Sequence, residues 1–400
     1  MFGFRGKHDV VTDPRRIGEV LTRGVENVIP RELALKKLSS GEQLRVYFGI
    51  DPNSAKLHLG HTVPLRKLKQ FSELGHHIIF VVGSFTAMIG DPTDRDAERT
   101  QLSREEVREN FKGYRRQAEK VLDFSRVEVR YNHEWLDTVD FEKIVSLASK
   151  FTVQQMLQRD MFERRMRDGK PIRLHEFLYP LMVGYDSVVL DVDAELGGSD
   201  QEFNMLAGRH LQAAFGGRDK FVLTTRLIEG TDGRKMSKSF GNCVYITDTP
   251  TQMFGKLMSM RDNLVPIYLD VCTDFSAPRQ EEILALHPKE AKMALAGEIV
   301  RMYHGEDGTR RAKEDFIKTF SEGNIPEGIQ ELRVPRGVTL ANVLVGNGVV
   351  ESKSEFRRLV KQRAIHNTDA DSPITDDSHS IQEPLTLKVG KRRFVRIVPE

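Results

Sequence analysis

LRVYFGIDPNSAKLHLGHTVPLRKLKQF, residues 44–71, joins a short apolar run, a turn cluster and an amphipathic run in direct succession. Leu44 to Ile50 reads as a buried strand, Asp51-Pro52-Asn53-Ser54 as a turn, and from His58 onward Leu65, Leu68 and Phe71 recur at helical spacing. Pro64 is expected in the first turn of that helix, where a missing N–H is tolerated. A strand feeding a helix N-terminus turns unpaired backbone N–H groups and the positive end of the dipole toward an anion. His58 and His61, three residues apart, share a helix face there, and Gly60 puts no side chain in the way of a ligand. An isolated His-x-x-His is also an ordinary surface pattern, so the stretch gains weight only from a second one.

That second stretch is GRKMSKSF, residues 233–240. Phe221 to Ile228 reads as a strand, and Glu229 to Gly233 breaks it into a loop that carries Lys235 and Lys238 three residues apart. Two lysines on a flexible loop suit a triphosphate, because cations that meet a leaving pyrophosphate in the transition state accelerate its departure more than cations bound beforehand.

Between these stretches, strand-like runs (76–85, 127–132, 187–198 and 221–228) alternate with helical ones (105–122, 141–167 and 201–215). The alternation predicts an α/β domain, a Rossmann-like doubly wound parallel sheet with helices on both faces and ligands at the carboxyl ends of its strands. The loops at Gly90–Thr100 and at Gly197-Gly198-Ser199-Asp200 fall at such ends. After Asn242 the pattern turns helical, over 251–260, 279–286, 288–303 and 309–320. The final segment reads as a small α+β unit: a helix from Thr339, a second over Ser352–Gln362, and two strand-like pieces in LTLKVGKRRFVRIV. The expected domains are 1–242, catalytic; 243–330, helical; and 337–400, RNA-binding. The basic face of the last would come from Lys353, Arg357, Arg358, Lys361 and Arg363, with Lys388, Lys391, Arg392 and Arg393 from the hairpin. So dense a cluster suits a phosphate backbone, and the lack of prominent aromatics favours the shape of paired RNA over base stacking.

Bulk properties restrict the reading without deciding it. Across 400 residues, 60 Lys and Arg stand against 58 Asp and Glu, so nucleic-acid contact must come from local patches. Two cysteines, Cys243 and Cys272, are too few for a zinc site or a disulfide framework. No apolar run is long enough to span a membrane and the N-terminus lacks a signal-peptide core, so the chain is expected to be cytoplasmic, with no membrane partner.

Taken together, Tyr47-x-Gly49-x-Asp51-Pro52, His58-Leu59-Gly60-His61, Ile89-Gly90-Asp91-Pro92, Tyr179-Pro180, Tyr185-Asp186-Ser187-Val188, Gly197-Gly198-Ser199-Asp200-Gln201 and Lys235-Met236-Ser237-Lys238-Ser239 resemble the bacterial-type tyrosyl-tRNA synthetases. These are class I aminoacyl-tRNA synthetases with a C-terminal RNA-binding module of a kind first seen in a ribosomal small-subunit protein. The resemblance implies an ATP-dependent ligase that forms tyrosyl-adenylate, releases pyrophosphate and transfers tyrosine to tRNA. It implies His58, His61, Lys235 and Lys238 as catalytic residues, and Asp51, Gly60, Gly198, Asp200 and Lys238 around ATP. Around tyrosine it implies Tyr47 and Asp186 on the phenol hydroxyl, Asp91 and Tyr179 on the amino group, Gln201 near the carboxylate, and position 183. The helical domain would read the anticodon, the chain would form a homodimer, and magnesium would arrive with ATP, with no bound organic cofactor and no protein metal site.

Three positions depart from the family pattern. Val183 stands where a glutamine helps hold the amino group, Asn53 where a threonine or serine assists the phosphates, and Ala87 where a glycine borders the amino-acid pocket. Two alternatives therefore stand beside the main reading: a class I ligase for another amino acid, and an RNA-binding paralogue that has lost catalysis.

Overall fold

The computed structural model describes residues 9–53, 56–91, 102–237, 240–321, 329–370, 372–390 and 393–400. The chain falls into two compact units, Met1–Gly305 and Glu306–Glu400.

The first unit is built on a six-stranded sheet: β1 (Val25–Ile29), β2 (Arg45–Ile50), β3 (His77–Val82), β4 (Val127–Tyr131), β5 (Ala194–Gly198) and β6 (Phe221–Thr225), in the order β1-β6-β5-β2-β3-β4. β2 to β6 run parallel, and β1 closes one edge antiparallel to β6. β3 and β6 are buried along nearly their whole length, as expected of strands covered on both faces. Phe80 on β3 anchors one layer, with ring centroids 5.4 Å from Phe48 and Phe124 and 6.0 Å from Phe111 and Tyr114. The doubly wound architecture read from the alternation is thus present, with the antiparallel edge strand added.

Several elements differ from the sequence reading. The SVVL run at 187–190 is the last turn of a helix, Leu174–Leu190; Asp191 ends it in the left-handed region at φ 44°, and β5 begins only at Ala194. β-branched residues mimic a strand there, but Gly184, Ser187 and Leu190 are buried at helical spacing. The 141–167 run divides into three short helices, Phe141–Ala148, Val153–Leu157 and Asp160–Arg167, because Asp140 and Thr152 cap new starts. Pro64 lies inside the Leu59–Glu73 helix rather than in its first turn, so the Gly60 carbonyl loses the N–H it would otherwise receive from residue 64. After residue 242 come Pro250–Ser259, Val265–Cys272, Ala277–Leu284 and Pro288–Ser321, the last broken at Gly305, where φ is 74°. Among the described residues no helix is long and apolar enough to cross a membrane.

The second unit contains a five-stranded sheet, β7 (Gln330–Val334), β8 (Ile365–Asn367), β9 (Ser372–Pro373), β10 (Leu385–Val389) and β11 (Arg393–Pro399), in the order β7-β11-β10-β8-β9. The helices Leu340–Gly346 and Lys353–Lys361 share a core with it that includes Leu344, Phe356, Ile365, Leu387 and Ile397. β7 lies ahead of the boundary at 337 expected from the sequence and pairs in parallel with β11.

One buried group links the first sheet to pH. His76, 4% exposed, accepts the Leu44 N–H on Nδ1 at 3.3 Å, and burial lowers its pKa to about 4. The unfolded chain takes that proton near pH 6.5 and the folded one only near 4, so the contribution is complete above 6.5 and lost as pH falls toward 4. The expected loss over that window is about 3 kcal/mol, measured by urea denaturation at a series of pH values. His76→Gln, which keeps an acceptor for Leu44, should flatten that part of the curve relative to the parent; parallel curves would refute the assignment.

Candidate active site

β2 lies between β5 and β3, so the order of the strands reverses between β2 and β5. Crevices form at the carboxyl ends of strands at such points, and here a cavity of about 480 Å³ opens. Tyr47, Asp51, His58, Gly60, His61, Asp91, Tyr179, Val183, Asp186, Gly198, Asp200, Gln201 and Lys235 all line it. Lys238, the remaining candidate, lies outside the described residues.

At the base of the cavity Tyr47, on β2, donates its hydroxyl to Asp186 Oδ2 at 3.2 Å, with both side chains buried. Trp135 Nε1 donates to Asp186 Oδ1 at 2.8 Å, and Asn132 Nδ2 stands 3.4 Å from Oδ2. Burial pushes the Asp186 carboxyl up to about 8, while the three donors pull the other way. The Tyr47 phenol is raised well above its ordinary value, by burial first and then by the Asp186 charge. The outcome is a dry carboxyl group with converging donors that, once ionised, accepts one more hydroxyl from the cavity.

A second carboxylate lies further out. Asp51, at the end of β2, accepts from Thr86 Oγ1 at 2.8 Å and from the Tyr179 hydroxyl at 2.9 Å. Asn132 Nδ2 also reaches Thr86 Oγ1 at 3.1 Å, so one chain of hydrogen bonds runs from Asp186 to Asp51. Asp91 accepts from Gln201 Nε2 at 2.8 Å, with the Arg159 guanidinium 3.9 Å away. Tyr179, Val183 and Asp186 follow one another at four- and three-residue spacing on the Leu174–Leu190 helix, which presents all three to the same side.

The histidine and lysine stretches meet through backbone hydrogen bonds. Leu59 N–H donates to Val244 O and Ile246 N–H to Leu57 O, both at 3.0 Å, which ties the chain after the lysine loop to the start of the Leu59–Glu73 helix. His58 N–H donates to His61 Nδ1 at 3.2 Å, leaving the proton of a neutral His61 on Nε2. A side chain at Gly60 would meet the His58 ring at 3.0 Å and Met236 Sδ at 3.6 Å, so the bare backbone lets the two signatures close on each other. Asn242 organises the loop: its Nδ2 donates to Asp232 Oδ1 at 2.8 Å and Lys235 O at 3.0 Å, and its Oδ1 accepts Ser237 N–H at 2.9 Å.

In the second unit Lys353, Arg357 and Lys361 are exposed at four-residue spacing along one helix, opposite the buried Phe356, Leu359 and Val360. Arg358 and Arg363 are exposed beside them. Arg393 is committed elsewhere: it donates to the Val349 carbonyl and, at 3.1 Å, to Glu355 Oε1, so its role is partly to hold the helix to β11. Lys391 and Arg392 lie outside the described residues.

Residues 39–321 match the family described as tRNA synthetases class I (W and Y). Over 98% of its length the chain is 44% identical to a tyrosine–tRNA ligase of Carboxydothermus hydrogenoformans, covering 99% of that protein. The chain belongs to the tyrosine–tRNA ligases. The ligase of Thermotoga maritima is 43% identical across 96% of this chain and 98% of its own length. Solved structures agree on the fold. A C-terminally truncated mitochondrial tyrosyl-tRNA synthetase of Aspergillus nidulans superposes with a TM-score of 0.64 at 21% identity, covering 76% of this chain and 94% of its own. A tyrosyl-tRNA synthetase of Archaeoglobus fulgidus complexed with L-tyrosine gives 0.60 at 21%, covering 75% and 99%. In this tyrosine–tRNA ligase the sequence reading passed over Thr86, Asn132, Trp135 and Arg159, which support the carboxylates. Only Asn132 carried a usable signal, at the carboxyl end of a predicted strand.

Proposed function

We propose that the cavity activates tyrosine with ATP, the phenol seated on Tyr47 and Asp186 and the phosphates held between the histidine and lysine stretches. The observation that carries this is the meeting of those stretches above a buried Tyr47–Asp186 pair at one strand reversal. A site with two buried polar groups rejects phenylalanine because that ligand leaves both unpaired. The tyrosine carboxylate attacks the α-phosphate in line and pyrophosphate leaves; a hydroxyl of the terminal ribose of tRNA then attacks the carbonyl carbon of the adenylate and AMP leaves. The protein contributes position and charge: Asp91 and Tyr179 face the ammonium, Gln201 the carboxylate end, Asp51 the adenylate, Gly198 and Asp200 its ribose, and His58, His61, Lys235 and Lys238 the phosphates. Magnesium travels with the ATP phosphates.

The same reading assigns 1–242 to catalysis, 243–330 to the anticodon, and 337–400 to the tRNA backbone. It also gives a homodimer that works in the cytoplasm. Exposed apolar side chains concentrated at Phe141, Val145, Val153, Met166 and Leu174 support the dimer.

Tyrosine-dependent ATP–pyrophosphate exchange tests the activity. His58→Ala and Lys235→Ala should each slow adenylate formation in single turnovers by about 10²-fold or more with tyrosine binding nearly unchanged; full activation rates in both would sink the assignment. Val183→Gln should tighten tyrosine binding up to about tenfold by restoring a hydrogen bond to the ammonium. Weaker binding would mean that the pocket is organised around valine. A chain ending at Ser321 should still catalyse exchange but charge tRNA poorly, and its log K against log salt should be shallower than the full chain's by several units. Equal slopes would remove Lys353, Arg357, Arg358 and Lys361 from the RNA surface.

A further inference from the structure

Lys220, just ahead of β6, is among the largest fully buried side chains and has no part in the chemistry above. Its Nζ pairs with the Glu195 carboxylate on β5 and donates to Ser187 Oγ at 2.8 Å; Ser187 Oγ donates to Glu195 Oε2 at 3.1 Å. A buried ion pair seldom repays its own desolvation, and apolar side chains of similar volume are often as stable. The fold nevertheless makes room for it: a Cβ at Gly208, on the facing Glu202–Ala214 helix, would stand 2.7 Å from both Lys220 Nζ and Ser187 Oγ.

The surroundings suggest a reason. Glu195 is the cross-strand partner of Tyr47, so the two side chains leave the same face of the sheet, and Glu195 also lines the cavity. Ser187 follows Asp186 on its helix. The Glu195–Ser187 contact and the Tyr47–Asp186 pair are therefore adjacent rungs between one sheet and one helix, and Lys220 joins the first from the start of β6. The groups acting on Asp186 are Tyr47 from β2, Asn132 and Trp135 after β4, and Glu195 from β5, with Lys220 behind Glu195. Asp51 is linked through Thr86 and Asn132, and Arg209 holds the Lys220 carbonyl at 2.8 Å.

We propose that the Lys220–Glu195 pair is a positioning element for the phenol subsite: it fixes the helix turn that presents Asp186, and its cation offsets the Glu195 charge so that Asp186 ionises more readily than it would beside Glu195 alone. This rests on the reading of Asp186 as the acceptor of the phenol. Glu195 alone would oppose a second negative charge nearby, and Lys220 cancels it.

The test is the acid limb of kcat/KM for tyrosine in pyrophosphate exchange, which follows ionisation in the free enzyme. Glu195→Gln leaves Lys220 facing Asp186 and should lower the limb by about one pH unit. Lys220→Met leaves two buried carboxylates sharing a proton and should raise it by about one unit or more. The double variant, Lys220→Met with Glu195→Gln, should return to within about half a unit of the parent. Lost packing would raise KM without opposed, cancelling shifts. An unmoved limb in Glu195→Gln, or shifts of the same sign, overturns the proposal; if Lys220→Met does not fold, Glu195→Gln and the double variant decide. Asp186→Asn separates this from failure of the underlying reading. If Asp186 accepts the phenol, preference for tyrosine over phenylalanine falls by at least about 10²-fold in that variant whatever the other two do.

Discussion

The hydrogen-bonded pairing of β2 with β5 is the interaction on which the site depends. Because it joins a strand from early in the chain to one some 150 residues later, it brings Tyr47, Asp51 and the histidine helix beside Gly198, Asp200 and Gln201. It also reverses the winding, so helices leave on opposite faces and a crevice opens between them. A shift of one residue in this register would turn Tyr47 away from Asp186 and Glu195 away from Ser187. The arrangement of side chains at the base of the cavity is thus a consequence of backbone pairing.

Chemistry in the cavity is divided by depth. The deep end is dry, with a phenol, an indole and an amide converging on the Asp186 carboxyl group. Such a subsite discriminates by the cost of leaving groups unpaired, and its precision depends on neighbours that do not move. The outer end relies on a loop braced by Asn242 and Asp232, and on backbone hydrogen bonds to the histidine segment. In the proposed reading, rigid donors suit the amino acid, whereas the phosphates require groups that follow a charge as it moves.

The connected carboxylates give the two ends a common frame. Asn132 and Thr86 link Asp186 to Asp51, and Tyr179 returns from Asp51 to the helix that carries Asp186. Val183, one turn after Tyr179, interrupts the polar lining of that helix.

Sequence alone determined the alternation that makes a parallel α/β sheet, the two signatures, and the residues around the cavity, because each depends on short-range spacing or local turn chemistry. It misread SVVL at 187–190, where β-branched residues finish a helix, and put Pro64 too early, since helix ends depend on capping that spacing does not display. The supporting layer was illegible for a different reason. Thr86 acquires meaning only from a partner 35 residues away, Trp135 from one 51 away, Lys220 from one 25 away and Arg159 from Asp91, and no local pattern distinguishes a lysine destined for the interior from one in solvent. Arg393 shows the converse, a basic residue in an RNA-like pattern that tertiary structure engages with Glu355 and Val349. Which side chains could do the chemistry was a matter of residue type and order; which of them are dry, paired and aimed at one another was decided by the strand order of the folded sheet, because burial and long-range pairing exist only there.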